Sequence, residues 1–200
     1  MDATTASERA RRISALNWDE LEADIRNCQA CRLCEGRQQA VPGSGDRQAR
    51  WLFVGEGPGR EEDLRGEPFV GPAGRLLDQM LAAIGLQRGQ DVYIANAVKC
   101  RPPHNRIPEA DEIAACRPYL LRQIELLAPQ LIFAMGRPAA HSLLDRPVNI
   151  SAARGRRIEH DGRALVVSYH PAYLLRNPQD KGKSWIDLCL ARELAEAGRH

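Results

Sequence analysis

The first thirty residues contain no apolar run. Their stretch "MDATTASERARRISALNWDELEADI" reads as one polar, amphipathic helix within residues 1–27, which excludes a signal peptide and a membrane span. With no export signal the expected compartment is the cytoplasm, a disulfide framework is not expected, and clustered thiols point to metal ligation. Internal repeats and low-complexity tracts are also missing, so neither a repeat array nor a disordered tail enters the reading. No stretch is long enough for an interdomain linker. The loop "VPGSGDRQAR" (41–50) only separates a cysteine-bearing start from the body, and residues 1–200 are expected to form a single domain. A formal net charge of +2 is too small to name a partner, while 44% hydrophobic residues suffice for a proper core.

What is present is unevenly placed. Three of the six cysteines fall in "CQACRLC" (Cys28, Cys31, Cys34), with no obvious fourth ligand nearby; the others are Cys100, Cys116 and Cys189. From Arg146 to Lys183 eight Lys and Arg face only Glu159, Asp161 and Asp180. Such a strip is either a solvated surface or a phosphate-contacting one.

Four apolar runs rich in β-formers each lead into turn chemistry: "WLFVG" (51–55), "VYIANAV" (92–98), "LIFAMG" (131–136) and "ALVVSYH" (164–170). Helical patterns lie between and after them, at 74–85, 109–127, 137–144 and 184–197. Unbroken apolar strands alternating with helices predict an α/β fold, a three-layer α/β/α sandwich with a central four-stranded parallel sheet. Ligands in such folds sit beyond the carboxyl ends of the strands.

The strand ends carry distinctive residues. The first exits into "GEGPGREED" (55–63), where glycines let the backbone approach a ligand and Glu56 stands at the strand end. This loop lacks the Lys-Ser/Thr of a P-loop and the spacing of a dinucleotide fingerprint. Asn96 ends the second strand, and an Asn there either caps a turn or reads the edge of a base. The fourth strand runs into "SYHPAYLLRNP" (168–178), a histidine followed by an apolar tip expected to be exposed and to meet a partner.

Together "GEGPGREED", "EPFVGPAGRLLD", "NAVKCRPPHNR" and "HPAYLLRNP" resemble the family 4 uracil-DNA glycosylases, iron–sulfur members of the uracil glycosylase superfamily, over about Cys28 to Glu193. The resemblance implies hydrolysis of the N-glycosidic bond of flipped-out uracil in DNA, by a monomer, with an abasic site as product. It implies a [4Fe–4S] cluster held by Cys28, Cys31, Cys100 and Cys116 within residues 28–116, although four thiolates equally suit zinc. Cys34 is then a spare surface or packing thiol and Cys189 a core one. Because the reaction needs no electron, the cluster ties the N-terminal segment to the loop after the second strand, which presents Arg101, Asn105 and Arg106.

The same resemblance assigns the pocket. Gly55 and Gly57 line it, Phe69 is its aromatic floor, Asn96 reads uracil O4 and N3–H, and His170 faces O2, where charge develops. Better-known members of the superfamily carry an Asp where this chain has Gly57, so the water-activating carboxylate falls to Glu56, with Asn105 orienting it and Glu62 either assisting or serving as a solvated helix-start residue. Tyr173, Leu174, Leu175 and Arg176 form the DNA-binding tip, one leucine being the wedge. Two alternatives remain open: a relative that traps uracil sites covalently, whose inserted Arg-Arg-Ile-His-type segment is missing here, and a non-catalytic iron–sulfur DNA-binding module.

Overall fold

A computed structural model describes residues 3–197. The four apolar runs form β2 (Trp51–Gly55), β3 (Val92–Asn96), β4 (Leu131–Met135) and β6 (Arg163–Ser168). All four run parallel, in the spatial order β3, β2, β4, β6. The expected four-stranded sheet is nevertheless six-stranded. β1 (Ser44–Gly45) pairs antiparallel with β3 at one edge, and β5 (Ile158–His160) pairs antiparallel with β6 at the other. Two- and three-residue edge strands with little apolar content leave no periodic trace in a sequence, and short edges resist pairing with other chains.

The apolar runs are unbroken because both faces of the sheet are covered. On one face Phe53, Ile94, Phe133 and Val166 pack with Leu77 and Leu81 of α5 (Pro72–Ala83) and Leu188 of α10 (Lys181–Ala197). On the other, Leu52, Val54, Ile132 and Val167 meet Leu120 and Ile124 of α6 (Ala110–Leu127) and Leu143 of α7 (Arg137–Leu144). The result is the expected three-layer α/β/α sandwich.

The N-terminal helix is two helices, α1 (Ala3–Ser14) and α2 (Trp18–Asn27). Asn17 breaks the run by capping α2: its side chain accepts from the amides of Asp19 and Glu20, and Glu20 accepts in return from the Asn17 amide at 2.9 Å. The sequence "NWDE" has the spacing of this reciprocal cap. Ile13, Leu21 and Ile25 then seat the pair on Val98, Cys100, Cys116 and Tyr119. Shorter helices fill the connections: α3 (Leu33–Gly36), α4 (Arg60–Arg65), α8 (Ile150–Ala153) and α9 (Pro171–Arg176). No helix of the described residues is long and apolar enough to cross a membrane.

Candidate active site

The register of the central strands places Gly55 opposite Asn96, so Glu56 and Asn96 leave neighbouring strands side by side. Gly136 and Arg137 follow β4 and His170 follows β6 at the same end of the sheet. A large cleft there is lined by Glu56, Gly57, Phe69, Asn96, Asn105 and His170, with Arg137, Tyr173, Leu175 and Arg176 also in its wall. Gly55 lies behind it. A β-carbon on Gly55 would stand about 2.5 Å from both Asn96 Oδ1 and the Phe69 ring, so only glycine leaves room for the two.

Asn96 is 2% exposed, and its Oδ1 is a buried acceptor with no hydrogen-bond partner among the described residues. Buried amides seldom leave an oxygen unpaired unless something else supplies the donor. The Lys99 ammonium holds the Asn96 backbone carbonyl at 2.9 Å and Gln123 Oε1 at 2.6 Å, fixing the end of β3 from behind.

Glu56 is half-buried, and burial pushes its carboxyl up to about 7 against the opposing pull of Arg137 and Arg176. It packs directly on Gly136, whose φ of +91° and missing side chain make the space. His170 caps α9: its Nδ1 accepts from the Ala172 amide at 3.1 Å. That bond places the ring proton on Nε2. Burial, with Arg176 adding to it, holds the imidazole down to about 4, so at neutral pH it is an uncharged donor. Its ring lies 5.4 Å from that of Phe69, with 30° between the planes. Phe69 belongs both to the core and to the cleft wall.

One expectation about partners changes. Asn105 lies in the cleft wall but engages Arg101 Nε at 2.7 Å and makes no hydrogen bond with Glu56. Glu62 is the helix-start carboxylate: it accepts from the amides of Gly59, Val70 and Gly71 at 3.1, 2.9 and 3.0 Å. Arg106 braces its loop against α6 through two bonds to Glu112, at 2.8 and 2.6 Å.

The tip is also rearranged. Pro171 starts the short helix α9, which turns Leu174 inward to 1% exposure among the core side chains. Leu175 stays 46% exposed beside Arg176. Tyr173 stacks on Tyr169, centroids 4.9 Å apart, and donates to Asp180 at 2.7 Å.

A second, small cavity is lined by Cys28, Cys31, Cys100 and Cys116 together, and by Cys34, which takes the packing place of its two readings. Arg37 donates to Cys100 Sγ at 2.9 Å, and the Lys99 amide donates to Cys116 Sγ at 3.2 Å. Arg9 approaches Cys28 Sγ at 3.6 Å. Burial pushes the Cys100 thiol up to about 11 and Cys116 up to about 12. Among the described residues no three Cys, His, Asp or Glu side chains come together as a site for a single metal ion.

A family model, that of the uracil DNA glycosylase superfamily, matches residues 42–192. The chain belongs to this superfamily. It is 46% identical over 169 residues to the type-4 uracil-DNA glycosylase of Archaeoglobus fulgidus, covering 80% of this chain and 84% of that one. Its similarity to the type-4 uracil-DNA glycosylase of Thermotoga maritima is 47% over 155 residues, or 76% and 80% of the two chains. To the type-5 uracil-DNA glycosylase of Thermus thermophilus it is 34% over 188 residues, or 74% and 85%.

In this superfamily member the matched span contains the whole cleft but begins after the first three cysteines. Sequence reasoning missed Arg137, which faces Glu56 from the start of α7. The rule that led to Asn96 and His170, to look just beyond each parallel strand, applies equally to "GRP" after β4.

Proposed function

We propose that this chain is a uracil-DNA glycosylase of the type-4 kind, which removes uracil from DNA by hydrolysis and leaves an abasic site for base excision repair. The observation that carries the reading is the unpartnered, buried Oδ1 of Asn96 at the back of a cleft floored by Phe69 and His170. Uracil offers a donor at N3 and an acceptor at O4, so one planar amide satisfies both. Cytosine presents the reverse pair and would leave the amide unsatisfied.

A uracil stacked in a duplex is out of reach, so it rotates into the cleft. Phe69 stacks on it and Asn96 holds its edge. As the C1′–N1 bond breaks, the electron pair stays on uracil, and the neutral His170 meets the developing charge at O2 with its Nε2–H. Glu56, whose carboxyl titrates at about 7, is positioned to take a proton from water as its oxygen bonds to C1′. Its negative charge also favours the oxocarbenium-like sugar. Leu175, the exposed leucine of α9, fills the space left by the flipped base, and Arg176 beside it reaches a phosphate.

We infer that Cys28, Cys31, Cys100 and Cys116 would hold a [4Fe–4S] cluster: soft thiols from two distant segments line one cavity, and Arg9, Arg37 and Lys99 oppose the negative charge. Such a cluster would supply a cross-link, since this hydrolysis moves no electron. We place the enzyme in the cytoplasm as a monomer, acting on single- and double-stranded DNA. Incubating the protein with a uracil-containing oligonucleotide, then cleaving with alkali, tests the reading. Strand breaks at uracil and not at cytosine are expected, and a bound but intact strand would leave a DNA-binding module instead.

A further inference from the structure

The floor of the pocket is held in an unfavourable conformation. Phe69 has φ +56°, in the left-handed region that a bulky residue enters only when its surroundings impose it. On one side the amides of Val70 and Gly71 are tied to Glu62. On the other, the carbonyls of Pro68 and Phe69 both accept from one guanidinium, that of Arg88, through Nη1 and Nη2 at 2.9 Å each. Asp78 in turn fixes Arg88 through Nε and Nη2, at 3.1 and 2.9 Å.

Arg88 lies in the loop between α5 and β3, outside the four stretches that carry the family resemblance, and its side chain is 23% exposed. An arginine is suited to this task because its planar fork reaches two consecutive carbonyls while a third N–H is anchored behind it; a lysine holds one point. Gly74, on the first turn of α5, leaves no room for a β-carbon against the Phe69 carbonyl, so the gripped backbone is packed closely from below. Releasing the carbonyls would let Phe69 relax towards ordinary backbone angles and swing its ring away from His170.

We propose that Arg88 is a positioning residue for uracil recognition, holding the Phe69 backbone so that the ring meets the flipped base beside His170. The proposal rests on the reading of Phe69 as the pocket floor. Four variants and one double variant test it, with single-turnover excision from a single-stranded oligonucleotide, inhibition by free uracil, binding of uracil-free DNA and melting temperature as readouts. Arg88→Ala is expected to slow excision about tenfold to a hundredfold and to weaken inhibition by free uracil about tenfold, with binding of uracil-free DNA unchanged.

Arg88→Lys falls between Arg88→Ala and wild type, and carries the comparison if Arg88→Ala does not fold. Asp78→Asn breaks the ion pair but leaves both carbonyl bonds, so it costs about threefold or less. In a Phe69→Ala background, Arg88→Ala adds little further loss of excision, because the ring it positions is gone. Normal excision and normal uracil inhibition in Arg88→Ala, beside a slow Phe69→Ala, would overturn the proposal alone. Equal losses in Asp78→Asn and Arg88→Ala would overturn it too, by making loop stability the cause. A fully active Phe69→Ala would instead remove the pocket-floor reading, and the proposal with it.

Discussion

As the proposed base, Glu56 joins two demands that pull in opposite directions, since a base must be ionised and a half-buried carboxylate resists ionisation. With the carboxyl at about 7, excision should rise with pH up to about 7 and level off above it, because the ionised form is the active one. His170, held at about 4, is neutral throughout and cannot supply that limb. Glu56→Gln should lower single-turnover excision by roughly two to four orders of magnitude with little change in DNA binding, and near-normal turnover would transfer the role elsewhere. The same residue sets a stability trend. A carboxyl raised from 4.5 to about 7 by folding makes the native state hold the proton more tightly, so stability falls as pH rises between those values and is flat above. Glu56→Gln lacks that loss. Its melting temperature should therefore gain on wild type across that window, and a gap independent of pH would contradict the assignment. Asn96→Asp should cost uracil excision on the order of a thousandfold, because a carboxylate accepts from N3–H but cannot donate to O4; unchanged turnover would remove Asn96 from the pocket. These residues were legible because each stands at or just beyond the carboxyl end of a parallel strand. The supposed Asn105–Glu56 link was not, since a side chain's choice among several partners depends on loop geometry that spacing does not encode.

At the scale of elements, the long apolar strands and the longer helices were readable because burial on both faces of the sheet writes itself into composition. The two edge strands and the helices of four to six residues were not. β1, β5 and α9 take their form from neighbours already in place, and α9 has the largest consequence. Read as an exposed tip, "AYLLRNP" offers two equivalent leucines; coiled into a helix started by Pro171, it buries Leu174 and exposes Leu175. The two substitutions should therefore differ in kind. Leu175→Ala should impair excision from duplex more than from single strands, where no base-pair gap needs filling. Leu174→Ala should destabilise the fold by about 2–5 kcal/mol and affect both substrates alike. Paired assays on single- and double-stranded oligonucleotides, with denaturant melts of both variants, check this. A duplex-selective defect in Leu174→Ala, or none in Leu175→Ala, would reverse the assignment.

Across the whole molecule the cysteines connect parts that the sheet does not. α1 and α2 pack on the outside of α6 through Ile13, Leu21 and Ile25, beside Cys100 and Cys116, while Cys28, Cys31 and Cys34 follow α2. Next to Cys100, Lys99 reaches the carbonyl of Asn96, so the same stretch of chain carries a thiol of the small cavity and the proposed base reader. A cross-link at that cavity would thus hold the N-terminal helices and steady the end of β3 without entering the chemistry. Protein purified without oxygen should be brown, with about four irons per chain, and Cys100→Ser should lose most of both. Extracting the iron should lower the melting temperature and open the 27–38 segment to protease, because the cavity's cations and thiols lose the group that joins them. Excision by the fraction that stays folded should fall much less than in Glu56→Gln, as a cross-link positions residues and moves no proton. A colourless protein holding one zinc would sink the cluster. An iron-loaded protein whose melting temperature ignores extraction would sink the cross-link, leaving the metal some other task.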